Sequence, residues 1–211
     1  MPNSKLTEEE KLRKQNYILN IAEKVFFEKS YEETTMIEIA KKAKLAKGTL
    51  YLYFPSKLDL YYALVTRSLK LIEEVIDENL KNCKNGFEKV VAMGKSYVEF
   101  ARRYPENYTV IMTYESHSIA RDMTHSLVNQ TYQNSRIIFD SLVSWVYEGI
   151  KDNSIKKGLD PIKLATVLWT QTTGMVQQVK LRKRLFEEWS KVEPQEILDY
   201  YILMTQELLK P

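Results

Sequence analysis

Apolar side chains recur at helical spacing along most of this chain. Ile18, Ile21, Ala22, Val25 and Phe26 follow the i, i+3, i+4, i+7, i+8 rule, which predicts a first helix ending near Glu28 with one buried face. Ile37, Ile39, Ala40 and Ala43 give a short second helix its apolar side, Leu45 marks a hydrophobic turn, and Leu50 with Phe54 sets the face of a third. Ala40 is small where the third helix must cross the second. Ser56, with Asp59 three residues on and Pro55 before it, predicts the cap of a long fourth helix over about 57–81. Phe87, Val90, Val91, Gly94, Val98 and Ala101 stripe a fifth, which ends before Pro105, where a short sixth begins. Val128, Tyr132, Ser135, Phe139, Leu142 and Val146 stripe a seventh. Asp160 and Pro161 form a cap and first-turn proline for an eighth, about 161–185, and a ninth covers about 194–209. No segment alternates long enough to read as a half-buried strand. The pattern predicts an all-α fold of about nine helices, with a small N-terminal domain, 1–56, and a larger helical domain, 57–211; residues 1 to about 7 read as a disordered tail.

Charge sharpens the small domain. Between Ile39 and Leu58 lie five lysines (Lys41, Lys42, Lys44, Lys47, Lys57) and no acidic residue, although the whole chain carries only +3. Two short helices joined by a tight turn under a local positive charge read as a DNA-binding helix-turn-helix. Gly48 and Thr49 open its second helix, where a missing or short side chain lets backbone N–H groups approach a phosphate.

The run IAKKAKLAKGTLYLYFPSK, with the preceding FFEKSYEETT, closely resembles the N-terminal domain of the tetracycline-repressor-like (TetR) transcription regulators, from Ile18 to Leu64. The resemblance implies that Lys47, Gly48 and Thr49 open the recognition helix in the major groove, with Lys47 or Thr49 reaching base edges. Thr35, Tyr51, Tyr53 and Lys57 would then hold phosphates, and Lys44 lies in the same basic stretch. Three positions depart from the family pattern: Ser30 and Lys44 stand where glycine is common, and Ala46 where serine is common. Lys44 is therefore expected to adopt a left-handed conformation at about 1 kcal/mol, and Ala46 to leave the recognition helix uncapped at about another. The resemblance also implies a two-fold dimer in which the last two helices build a four-helix bundle with their copies. By position these carry Leu164, Leu168, Met175 and Val179 on one helix, and Ile197, Tyr201, Met204 and Leu208 on the other. The competing expectation is that both helices close the subunit's own core.

Composition narrows the chemistry. The first fifteen residues are charged instead of apolar, and no run of about 18 apolar residues exists, so neither a secretory leader nor a membrane span is expected and the protein should be cytoplasmic. Cys83 is the only cysteine, which excludes an internal disulfide and a multi-thiolate metal site. The six glycines are isolated, so no phosphate loop, dinucleotide fingerprint or nucleophile elbow is present, and neither an enzyme nor a bound cofactor is expected. His117 and His125 would stand about 12 Å apart on a helix, too far to share an ion, so no metal site is expected. The basic cluster Lys180, Arg182, Lys183 and Arg184 reads as a solvated helix end.

Tyrosines and methionines crowd the middle of the chain. They fill a core loosely and leave hydroxyls needing partners, which suits an apolar pocket with a few polar groups. Met93, Tyr97, Phe100, Tyr108, Met112 and His117, with Trp169, Thr173 and Gln177 as a second wall, are the candidate ligand residues. Two functions remain open: a homodimeric repressor released from operator DNA by a small hydrophobic or aromatic effector, or a DNA-bound adaptor that answers to a protein partner. A closed cavity above about 300 Å³ would favour the first, and a filled core with an exposed apolar patch the second.

Overall fold

The computed structural model describes residues 7–116 and 126–211, and among them are ten α-helices and no strand. They are α1 (Glu8–Glu28), α2 (Met36–Lys42), α3 (Lys47–Tyr53), α4 (Lys57–Leu80), α5 (Gly86–Arg103), α6 (Pro105–Ser116), α7 (Ser126–Lys151), α8 (Pro161–Leu181), α9 (Lys183–Trp189) and α10 (Pro194–Leu209). The expected eighth helix is thus two. Arg182, with φ −112° and ψ 22°, leaves the helical region, and α9 restarts with its own i, i+4 pairs, Lys183–Glu187 and Arg184–Glu188. Neither proline nor glycine announces that break. No described helix is long and apolar enough to cross a membrane.

The chain divides into two compact units, with boundaries after Arg67 in α4 and after Thr131 in α7. In the first, a capping box starts α1: Thr7 Oγ1 accepts the Glu10 N–H at 3.2 Å, and Glu10 accepts the Thr7 N–H at 2.7 Å. Ile18, Ala22 and Val25 of α1 are fully buried with Ile39 of α2, Leu50 of α3 and Leu60 and Leu64 of α4. Met36, not Ile37, completes the buried face of α2: Met36, Ile39, Ala40 and Ala43 lie at i, i+3, i+4 and i+7, and Ile37 is 63% exposed. Arg67 ties α4 to α1 through Glu23 (3.1 Å) and Asn20 (2.7 Å).

In the second unit α5 is the central helix, packed against α6, α8 and α10. It buries Val90, Met93, Tyr97 and Phe100, and also Ala92 and Ser96 on its far side. Its first turn lies directly on α7, because a Cβ at Gly86 would stand 2.0 Å from the Gly149 backbone nitrogen. That position admits only glycine. The freed N–H groups of this helix end are met by side chains: Asp152 accepts from Gly86 (3.0 Å), Ser154 from Phe87 (3.1 Å) and Asn85 from Glu88 (2.9 Å). On α7 the buried positions are Val128, Thr131, Ile138, Leu142 and Val146, while Tyr132 is exposed; the stripe turns one residue away from the expected one at two of its steps.

Candidate nucleic-acid interface and apolar cavity

The turn between α2 and α3 is fixed by backbone bonds. The Lys44 N–H donates to Lys41 O (3.1 Å) and the Leu45 N–H to Ala40 O (2.9 Å), which is the 5→2 and 6→1 pairing of a Schellman motif. Its left-handed residue is Lys44, with φ 53°, where the motif prefers glycine. Ser30, by contrast, has no positive φ; its hydroxyl accepts the Glu33 N–H instead. Ala46 leaves α3 without a side-chain cap, as expected, and the Tyr17 hydroxyl on α1 braces the turn by donating to Ala43 O at 3.2 Å.

Around this turn the lysines divide. Lys42 is taken by Glu28, whose carboxyl the hydrogen bond from Lys42 and its charge hold below the usual range. Lys41, Lys44 and Lys47 are exposed and make no ion pair among the described residues, and the Lys47 ammonium stands 5.7 Å from the Tyr51 ring centroid. Lys57, expected to hold a phosphate, is turned inward. It donates to Tyr31 O (2.7 Å) and Thr34 O (3.0 Å), and lies 4.3 Å from the Tyr31 ring centroid. These carbonyls belong to an irregular loop with no helical partner for them, and a half-buried ammonium satisfies them cheaply. Tyr31 in turn packs on Phe26 and Tyr61. Thr35 is exposed and caps α2, accepting the Glu38 N–H at 3.2 Å; Thr49 and Tyr53 are half-buried, and Gly48 faces open space. Leu52 of α3 is 84% exposed. It was not among the expected contacts because an apolar residue reads first as core; its signal is a position two beyond the buried Leu50 on a seven-residue helix.

The second unit holds an apolar, partly open cavity of about 40 Å³. Val90, Val91, Met93, Gly94 and Tyr97 of α5 form one wall, Leu168, Trp169, Thr172 and Thr173 of α8 another, with Leu142 of α7 and Tyr201, Ile202, Thr205 and Leu209 of α10 closing it. Of the expected ligand residues, Met93, Tyr97, Trp169 and Thr173 are brought together here. Phe100 and Tyr108 are buried elsewhere in the core, Met112 accepts the Tyr97 hydroxyl proton at 3.6 Å, and Gln177 does not reach the cavity. His117 and His125 lie outside the described residues. The polar groups of the wall are largely occupied: Thr172 and Tyr201 share a 2.9 Å hydrogen bond, and Thr173 and Thr205 bond helix carbonyls.

Leu168 and Val179, expected on the face between subunits, are 5% and 4% exposed and belong to the core of their own unit, and Tyr201 turns to the cavity. Leu164, Met175 and Ile197 are half-buried, whereas Met204 and Leu208 are exposed, as are Tyr200 on α10 and Ile162, Val167 and Leu181 on α8. Lys180, Arg182, Lys183 and Arg184 are all exposed, and the Lys180 ammonium folds back to donate to Pro105 O and Thr109 Oγ1, both at 2.7 Å, where desolvation draws its pKa down against the pull of Glu106. Cys83 is half-buried, and burial followed by the Glu88 charge raises its thiol pKa, away from thiolate chemistry. Among the described residues no three His, Cys, Asp or Glu side chains converge as metal ligands.

A tight turn flanked by exposed lysines, leading into a short exposed helix, is the geometry of a helix-turn-helix DNA-binding domain. Residues 18–64 match the model of the bacterial regulatory proteins of the tetR family, so the chain carries the DNA-binding domain of that family. It is 27% identical over 170 residues to the fatty acid metabolism regulator protein of Bacillus subtilis (strain 168), covering 77% of this chain and 84% of that one. It is 28% identical over 177 residues to the HTH-type transcriptional regulator YhgD of the same organism, covering 84% of each. Its fold is similar to the crystal structure of AibR in complex with isovaleryl coenzyme A and operator DNA, with a TM-score of 0.67 at 20% identity, over 90% of this chain and 96% of that one.

Proposed function

We propose that this protein is a homodimeric repressor whose grip on its operator loosens when a small acyl compound occupies the cavity between α5, α8 and α10. The observation that carries the DNA half is the trio Lys41, Lys44 and Lys47, exposed cations that make no ion pair among the described residues, on and beside an exposed helix. Lys41 and Lys44 neutralise phosphates, Lys47 and Thr49 reach base edges, and Leu52 meets a thymine methyl. Thr35, Gly48, Tyr51 and Tyr53 flank that helix and position the backbone. The acyl half is supported by relatives: one is named for fatty acid metabolism, and a structural neighbour was crystallised with an acyl-coenzyme A and operator DNA. The protein works in the cytoplasm beside the chromosome and carries out no catalysis.

Dimerisation supplies the second half-site. One domain makes too few contacts for specific affinity, and Tyr200, Met204 and Leu208 of α10, with Ile162 and Leu181 of α8, leave an apolar face exposed. The operator is then a pseudo-palindrome with half-sites about one DNA turn apart or a larger fixed spacing. Replacing Met204 and Leu208 together with glutamate should give helical monomers that bind operator weakly. A wild-type protein that sediments as a monomer at micromolar concentration while binding tightly would contradict this.

An effector needs only differential affinity for the DNA-competent and released states; about 3 kcal/mol shifts the balance more than a hundredfold. Fluorescence anisotropy of an operator fragment, titrated with isovaleryl-coenzyme A, tests the reading: release supports it, and unaltered binding with no acyl compound bound rejects it. The adaptor reading keeps one observation in its favour, because a cavity of about 40 Å³ is far smaller than the ~300 Å³ of a preformed drug-sized pocket. Under that reading a protein partner covers the exposed face of α8 and α10, and the monomer outcome above would favour it.

A further inference from the structure

We propose that the cavity recognises an uncharged carbonyl group, whose oxygen accepts the one proton that the hydroxyl pair of Thr172 and Tyr201 leaves unused. The proposal rests on the acyl reading just given and adds to it the part of the acyl compound that is read: the C=O of a thioester or ester, and neither a carboxylate nor an ammonium group.

α8 is rich in threonine, and three of its hydroxyls bond back to their own helix, as helical threonines commonly do. Thr166 donates to Ile162 O (2.8 Å), Thr170 to Thr166 O (2.8 Å) and Thr173 to Trp169 O (2.9 Å). Thr172 departs from this habit. Its hydroxyl stands 2.9 Å from the Tyr201 hydroxyl of α10, and either oxygen can donate. Neither side chain makes another hydrogen bond among the described residues. Two hydroxyls hold two protons and their mutual bond uses one, so one proton of the pair has no acceptor in the protein. Tyr201, expected between subunits, lines the cavity together with Thr172.

The rest of the wall singles out that proton. Thr173 and Thr205 give theirs to helix carbonyls, and the Tyr97 hydroxyl donates to Met112 Sδ at 3.6 Å. No charged side chain lines the cavity among the described residues. A carboxylate or an ammonium group would lose water there without gaining a counter-charge, which costs far more than burying a neutral carbonyl. A donor left without an acceptor against apolar surface is costly as well, whereas an idle lone pair is tolerated more often. The group that meets both conditions is neutral and brings an acceptor. The Trp169 indole N–H, in the same wall, makes no hydrogen bond among the described residues and is the alternative donor. The hydroxyl pair is preferred because it joins α8 to α10, so a compound that engages it touches both helices of the exposed apolar face.

Volume sets the size of the group. A cavity of about 40 Å³ is roughly three water-sized spaces, so it takes the carbonyl and a few carbons, and its open side leaves the remainder of the compound outside.

Calorimetry on the intact protein tests each part. The first pair of probes is isovaleryl-coenzyme A and isopentyl-coenzyme A, the thioether in which a methylene replaces the carbonyl; wild type should prefer the thioester about tenfold, the worth of one hydrogen bond. T172V combined with Y201F should bring that ratio close to one while the thioether binds at least as tightly as before, with circular dichroism confirming the fold. Each single variant keeps one hydroxyl with its own proton and should lower the ratio without abolishing it; if the double variant does not fold, the two singles decide, and wild-type ratios in both overturn the proposal. The second pair is methyl isovalerate and the isovalerate anion at neutral pH. The ester should bind and the anion should be about tenfold weaker or absent, and an anion that binds as tightly as the ester overturns the claim of an uncharged ligand. If wild type binds none of the four compounds, the acyl reading itself falls and this proposal with it. If it binds the thioester and thioether equally, or if the preference survives in the double variant and is lost in W169F, the acyl reading stands and the assignment to Thr172 and Tyr201 is wrong.

Discussion

The turn at Lys44 is held by two backbone hydrogen bonds that close within six residues, whereas the cavity at Ile202 is bounded by four helices drawn from Val90 to Leu209. The first kind of structure is local: the chain loses little entropy in forming it and can carry a strained, charged residue at its apex. The second depends on every helix around it, so its side chains are specified by neighbours far away in sequence. Function follows the same division. The DNA face offers its chemistry to solvent through side chains that nothing else needs, while the cavity is made of side chains that also hold the unit together.

Substitutions should separate the two regions, and the largest effect belongs to the second. Gly86→Ala forces a methyl group into the α7 backbone at Gly149, and should cost about 3 kcal/mol or more, seen as a fall in melting temperature of about 6–12 °C. A variant as stable as wild type would mean that the α5–α7 contact is looser than the geometry states.

Next in size are the lysines of the turn. Removing Lys41 or Lys44 takes away one phosphate contact per half-site, so the slope of log affinity against log salt should fall by about 2 for a two-fold dimer, with stability little changed. Lys57→Ala should do the reverse. It leaves the slope unchanged and destabilises by about 2 kcal/mol, because the carbonyls of Tyr31 and Thr34 lose a charged donor. A fall in slope on removing Lys57 would restore it to the phosphate contacts.

Lys44→Gly distinguishes strain from charge at one position. Relief of the left-handed φ should stabilise the fold by about 1 kcal/mol, and loss of the ammonium should weaken operator binding in the same variant. The smallest effect is one of pH. Burial opposes ionisation of Asp152, but hydrogen bonds from Ser154 and from the Gly86 N–H outweigh it and hold the carboxyl below its usual 3.8. A depressed carboxyl contributes stability that is present above its unfolded pKa and lost as pH falls through the folded one. The acid limb of the stability curve below about pH 4 should therefore flatten in Asp152→Asn.

This division also explains what could be read from residues alone. The run from Ile39 to Lys57 announces its turn, its missing cap and its charge, because each of these is a property of neighbours in sequence. Lys57 is the exception: its three-carbonyl setting depends on a loop some 25 residues earlier, which the phosphate role implied by the family resemblance does not reflect. In the second unit the helices were legible and their rotation was not. α10 is apolar at Ile197, Tyr201, Met204 and Leu208 and again, one residue on, at Leu198, Ile202 and Leu209, with Thr205 between them. A helix with a core on one side and an exposed apolar face on the other carries two stripes, and periodicity cannot rank them. The inward face is the second stripe together with Tyr201 of the first, which is why Ile202 was not anticipated beside Met93 and Tyr97. Likewise α2 is under two turns long, too short for its spacing to choose Met36 over Ile37.

The central claim is that the cavity and the DNA face are coupled, and coupling is reciprocal. Calorimetry of isovaleryl-coenzyme A binding, performed with and without saturating operator DNA, measures it directly. The account predicts that operator weakens the acyl compound by the same factor by which that compound weakens operator binding. Equal affinities in the two titrations would contradict it.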